Sequence, residues 1–211
     1  SADYLKMVSS VRVAPSINIK LYIMLALVLF FVIGCCGAVL LGRLSDIVDY
    51  LLYVDKKTGL PNREKLNIYI GEMAGKVLPE AFTCFTLSLD NLSELTKRFG
   101  YTVGDGVLKD FAGLVQLMGD TEGMRGYNGI GRFVVFFEEC SSKKAAAMIR
   151  ILDNQVEEYN SLNPEYPIRY TAAWATTEET DTYEIRELLR LSQKKWKQME
   201  KEKKDKTEEE T

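Results

Sequence analysis

Apolar and polar positions change rhythm repeatedly along this chain, and each change marks an element. From Leu21 to Gly42 the run LYIMLALVLFFVIGCCGAVLLG holds no charged residue, and Lys20 and Arg43 bracket it. Coiled as a helix it reaches roughly 30 Å, the thickness of a bilayer's hydrocarbon core. The pattern predicts a single transmembrane helix over 20–42. From Arg43 to Val54 the spacing turns amphipathic, with Leu44, Ile47, Val48, Leu51 and Leu52 on one helical stripe. This predicts a neck helix over 43–54, whose stripe packs either on its own domain or on a second copy.

Beyond the neck, DKKTGLPN reads as a turn punctuated by Gly59 and Pro61. A helical pattern follows from Arg63 to about Val77. Phe82 to Leu89 alternates and is rich in β-formers, so it predicts a strand. Asn91 to Phe99 predicts a short helix ended by Gly100, and Val103 to Leu117 a second, amphipathic one. Met124 to Phe137 reads as a hairpin turning at Asn128-Gly129-Ile130-Gly131. A helix is expected over Ser141 to Tyr159 and a strand over Ile168 to Thr176. A last helix runs from Thr182, capped there or at Asp181, to about Lys203. That order of elements predicts an α/β fold with helices on a mainly antiparallel sheet.

Composition narrows the chemistry. A net charge of -3 carries no nucleic-acid footprint. The chain has no His, which removes the commonest general base and the commonest metal ligand together. Its 4 Cys show neither metal-knuckle spacing nor a disulfide framework, so Cys35, Cys36, Cys84 and Cys140 are expected as free thiols. Val32-Ile33-Gly34-Cys35 resembles a lipoprotein cleavage box, which would place the following domain outside the cytosol.

Four separated stretches carry a family resemblance. Asp55-Lys56-Lys57-Thr58-Gly59-Leu60-Pro61-Asn62-Arg63 resembles the D-x-L-T-G-L-P-N-R turn of diguanylate cyclase (GGDEF) domains, with Lys57 where Leu is usual. The segment from Leu87 to Leu108 resembles that family's D-x-D-x-F-K-x-x-N-D-x-x-G-H-x-x-G-D-x-x-L. Gly129-Ile130-Gly131-Arg132-Phe133 stands where the family has G-G-D/E-E-F, and Leu188 to about Asp205 resembles its last helix. The resemblance implies a GGDEF, nucleotidyl-cyclase-like (palm-type) domain over 55–205.

It also implies a site that departs from the family's. Members join two GTP molecules with two carboxylate-held divalent metals. Here the first metal-binding Asp aligns with Ser88, the hairpin's acid with Gly131 and the next Glu with Arg132; Asp90 matches the second acid of the strand motif. The guanine-reading Asn aligns with Thr96, and its companion Asp with Asp105. The Phe and His of that motif become Leu92 and Tyr101. The phosphate-holding Lys of the last helix aligns with Glu200 and a later Arg with Lys204. Asp105, near the start of its helix, has a second reading as a stabiliser of the helix dipole. Arg132 has one as a solvent-facing strand residue. The family's inhibitory R-x-x-D falls on Asp120 to Gly123, which lacks the Arg.

The expectation is therefore a catalytically inactive domain with no metal and no cofactor. The parts are an N-terminal segment over 1–19 outside the cytoplasm, the span over 20–42, the neck over 43–54, the domain over 55–205 and a charged tail over 206–211. The chain is expected in a bacterial cytoplasmic membrane with the domain in the cytoplasm. There it would serve as a scaffold, receptor or interaction module in cyclic di-GMP signalling or an exopolysaccharide or cell-envelope complex. Its partner would be a second copy or another cytosolic or membrane protein. The alternative is residual cyclase activity or a guanine-nucleotide sensor, with Thr96, Asp105 and Lys204 as nucleotide contacts.

Overall fold

The computed structural model describes residues 19–119 and 123–209. The 1–18 stretch, Asp120–Glu122 of the inhibitory-site alignment and the last two tail residues lie outside the described residues. The chain divides into two units at Val48/Asp49.

Helix α1 (Ile19–Tyr53) is one uninterrupted helix. It is long and apolar enough to cross a membrane, and its apolar side chains are exposed. The neck stripe Leu44, Ile47, Val48, Leu51 and Leu52 is exposed along it.

In the second unit, α2 (Arg63–Met73) is capped by Asn62, whose side chain accepts from the Lys65 amide. It stops four residues short of Val77 because Gly75 takes a positive φ of 81° that ends the helical path. Then come β1 (Thr83–Leu89), α3 (Leu92–Phe99), α4 (Tyr101–Gln116), β2 (Gly123–Gly129), β3 (Arg132–Phe137), α5 (Ser142–Leu162), β4 (Tyr170–Thr176), the single turn α6 (Thr177–Thr180) and α7 (Ile185–Glu209). Gly100 both ends α3 and opens α4, so α4 begins two residues before Val103. Asp181 is left-handed and closes α6, so neither it nor Thr182 caps the last helix, which starts at Ile185.

The strands form one antiparallel sheet in the order β2-β3-β1-β4. Every residue of β1 is buried, as a central strand covered on both faces must be. Phe85, Leu87 and Leu89 point into a core with Phe111, Phe133, Phe137 and Leu152, under α3, α4 and α5. The alternate residues of β1 face α2 and α7, where Phe82, Cys84, Phe136, Leu66, Ile185 and Leu188 pack together. Phe133 and Phe111 meet edge to face at 5.3 Å, so Phe133 of the hairpin motif is a core residue. Gly126 lets α2 settle on β2: a Cβ there would stand 2.4 Å from Leu66 Cγ.

Candidate functional site

The polar residues of interest gather where β1 ends beside the β2–β3 turn. Pairing puts Ser88 opposite Arg132 on one side and Thr171 on the other, so all three share the face covered by α7. That face carries a row of polar contacts. Thr86 Oγ1 and Cys84 Sγ meet Ser192 Oγ at 2.8 and 3.3 Å, and Trp196 Nε1 donates to Ser88 Oγ at 3.0 Å. The row matches because two residues along a strand (about 7 Å) advance nearly as far as four residues along a helix (about 6 Å). Burial pushes the Cys84 thiol up to about 12, against a smaller opposing effect of Ser192, so it is no nucleophile at neutral pH.

Ser88 Oγ in turn donates to Asp90 Oδ1 at 2.6 Å. The other oxygen of Asp90 accepts from Thr171 Oγ1 at 2.6 Å and lies 3.7 Å from Lys203 Nζ. Lys203 also donates to the Tyr170 carbonyl at 2.7 Å and to Thr171 Oγ1 at 2.9 Å. Arg132, exposed, lies with its guanidinium 4.9 Å from the Trp196 ring centre. A continuous network therefore runs Arg132–Trp196–Ser88–Asp90–Thr171–Lys203. Among the described residues no three His, Cys, Asp or Glu side chains are grouped to hold a metal ion.

The turn itself is a two-residue link, with Gly129 opposite Arg132. Ile130 and Gly131 both have positive φ, 52° and 68°, as a type I′ hairpin turn requires. Ile130 is 89% exposed and holds this left-handed conformation despite its branched Cβ. The turn is tied down from two sides: Leu89 N donates to Gly131 O at 2.8 Å, and Gly131 N donates to the Tyr127 hydroxyl at 3.1 Å.

Thr96 and Asp105 form a second group. Thr96 Oγ1 donates to Leu92 O within its own helix at 2.8 Å, and a Cβ on Gly104 would touch it. Since α4 starts at Tyr101, Asp105 lies beyond its first turn and is not the helix-end stabiliser suggested above. It pairs instead with Lys57 Nζ at 2.8 Å, across a half-exposed gap. That hydrogen bond raises the Lys57 ammonium above its usual pKa.

The DKKTGLPN turn joins this region to α1. Asp55 accepts from the amides of Lys57 and Thr58 and from the Thr58 hydroxyl. Asn62 donates its side-chain amide to Leu52 O at 2.7 Å, and Pro61 O accepts from Tyr127 N at 2.8 Å.

Sequence reasoning named Ser88, Asp90, Thr96, Asp105, Gly129, Ile130, Gly131 and Arg132, and they lie in these two groups. It missed Lys203 and Trp196. The cation that reaches Asp90 is Lys203, one residue before Lys204, whose side chain lies outside the described residues. Glu200 is half-buried on the same helix.

The diguanylate cyclase GGDEF-domain family profile matches residues 52–206. This chain belongs to the GGDEF family. Among solved structures, the coiled coil and GGDEF domain of DgcB from Caulobacter crescentus in complex with c-di-GMP is 15% identical. It has a TM-score of 0.58, covering 71% of this chain and 82% of that one. A diguanylate cyclase/phosphodiesterase from Caldicellulosiruptor saccharolyticus is 19% identical, with a TM-score of 0.56 over 72% and 91% of the two chains. The LapD S helix-GGDEF-EAL protein of Vibrio cholerae, bound to c-di-GMP, is 12% identical with a TM-score of 0.54. That match covers 64% of this chain and 31% of LapD, so this chain spans less than a third of that protein. These likenesses establish the GGDEF fold. No curated protein sequence matches the chain.

Proposed function

We propose that this chain is a membrane-anchored GGDEF domain that does not cyclise GTP and acts as a scaffold or receptor. The observation that carries the reading is the network of Asp90. Both of its oxygens are engaged by Ser88, Thr171 and Lys203, and Trp196 and Arg132 close the same face.

A pair of divalent ions does not fit these residues. Hard cations draw on several oxygen ligands, ionised carboxylates foremost. The positions aligned with the family's metal-binding acids carry Ser88 and Gly131, and beside them stands the fixed positive charge of Arg132. One carboxylate, already beside the Lys203 ammonium, stands on a face that also carries Arg132, and a triphosphate's metal would meet repulsion where the family resemblance puts attraction. Guanine recognition has weakened in parallel, because the Thr96 hydroxyl is turned to its own helix and Asp105 is held by Lys57. Ser88, Asp90, Gly129, Ile130, Gly131, Arg132 and Phe133 are thus read as altered motif positions.

The apolar run over 20–42 serves as the anchor, and the neck over 43–54 presents its exposed stripe to a second copy or a membrane partner. Family membership supports a bacterial cytoplasmic membrane with the domain inside the cell, and a role in cyclic di-GMP signalling or a cell-envelope complex. GTP with magnesium or manganese, added to the full chain in detergent, tests the reading. No cyclic di-GMP is expected; product formation abolished by Asp90→Ala overturns it.

A further inference from the structure

We infer that the ends of β1 and β4 form a small oxygen-lined cation site whose occupant is the protein's own Lys203 ammonium. Among the described residues, Nζ lies near oxygens of three kinds: the Tyr170 carbonyl at 2.7 Å, the Thr171 hydroxyl at 2.9 Å and the Asp90 carboxylate at 3.7 Å. Carbonyl, hydroxyl and carboxylate oxygens are the donors that hard metal cations take. The proton arrangement fits a cation on one side and an anion on the other. Thr171 Oγ1 accepts from the ammonium and donates its own hydrogen bond to Asp90 Oδ2 at 2.6 Å.

The site is built by the fold. Pairing of Ser88 with Thr171 sets the Asp90 and Thr171 side chains side by side. Ser88 fixes the second carboxylate oxygen. The helix α7 delivers Lys203 from a backbone anchored by the buried Leu188, Ser192 and Trp196. A tethered ammonium acts at a high effective concentration, so it displaces free ions from the cradle. Lys203 therefore does by covalent attachment what a bound ion does elsewhere: it neutralises Asp90 and clamps the end of α7 to the sheet. This deepens the proposed function and rests on it, since it requires that Asp90 is not committed to a metal-bound nucleotide.

The test removes the tethered charge and offers a free one. Full chains in detergent, wild type and Lys203→Met, are melted in NaCl and in ionic-strength-matched MgCl2, CaCl2 or MnCl2, and Mn2+ binding is followed by electron paramagnetic resonance. Wild type is expected to melt at the same temperature in every salt and to bind no Mn2+ through Asp90. Lys203→Met is expected to lose about 3 °C. It should recover at least half of that with one of the divalent salts, and recovery should vanish in Asp90→Asn/Lys203→Met. Should Lys203→Met fail to fold, Lys203→Gln keeps a donor to the Tyr170 carbonyl and reads the same loss and recovery. A Lys203 variant that melts like wild type, or that loses stability and responds to no cation, overturns the inference. So does wild-type Mn2+ binding abolished by Asp90→Asn. Cyclic di-GMP formation by wild type, assayed separately, would defeat the proposed function through a different readout.

Discussion

Trp196 donates its indole N–H to Ser88 Oγ at 3.0 Å, and that one contact ties the last helix to the position where the resemblance has the first metal-binding Asp. Trp196 is 4% exposed, and the Arg132 guanidinium lies over its ring. Trp196→Phe keeps most of the buried ring and removes the donor, so a loss of about 1 kcal/mol is expected. Trp196→Ala also opens a cavity and should cost about 3–5 kcal/mol. Urea denaturation followed by circular dichroism separates the two. No loss in Trp196→Phe would mean that packing alone holds the contact.

Within the second unit, Asn62 serves two helices with one side chain. Its Oδ1 accepts from Lys65 N at the start of α2, and its Nδ2 donates to Leu52 O near the end of α1. Asn62→Ala breaks both bonds and should lower stability by about 1–2 kcal/mol. Asn62→Asp keeps the cap and loses only the donor to α1, placing a negative charge beside a helix C-terminus. Hydrogen exchange should then show faster exchange at the Asn62 amide, which donates to Tyr53 O, with the core strands unchanged. Uniform loss of protection would show that the Asn62 turn and the core open together.

Much of this fold was legible because its signals are local. Alternation marked β1, the glycine pair around Ile130 marked the hairpin, and the helix expected from Ser141 begins at Ser142, with Ser141 as its N-cap. The element limits that shifted are those set by one residue's backbone: Gly75 stopping α2, Gly100 opening α4 early, Asp181 turning left-handed before α7. The candidate site was legible in its strand and turn residues, which sit at fixed offsets within recognisable motifs. On α7 it was not. The tail pattern is nearly all Lys and Glu, and a slip of one residue rotates a helical side chain by about 100°. Lys203 and Trp196 are visible only once β4 and α7 are docked together.

Ile130 stores strain that a different side chain would release. A branched L-residue at φ 52° costs about 1–2 kcal/mol against its right-handed state. The side chain is almost fully exposed, so nothing in its packing offsets this. Asn tolerates the left-handed region, and Asn-Gly is a favoured pair for this turn. Ile130→Asn should therefore stabilise the protein by about 1 kcal/mol, raising the melting temperature by about 2–4 °C. A lower melting temperature would show that Ile130 makes a contact worth more than its strain.

Alkaline pH tests the packing of α4 against α5. The Tyr159 hydroxyl donates to Asp110 Oδ2 at 3.0 Å, and burial together with that carboxylate pushes the phenol up from 10.0 to about 12. A folded pKa above the unfolded one means that the contribution is complete below pH 10.0. It is lost as pH rises toward about 12, where the unfolded chain has already released its proton. Wild-type stability should therefore fall more steeply over that interval than Tyr159→Phe, which has no phenol to titrate. Burial also raises Cys84 and Tyr170, so the informative quantity is the difference between the two proteins rather than either slope alone. Below pH 9 the Phe variant should sit lower by about 1 kcal/mol, the net worth of one hydrogen bond. The gap should narrow as the phenol ionises. Parallel curves from pH 9 to pH 12 would place the Tyr159 proton outside the folding equilibrium and refute the pairing with Asp110.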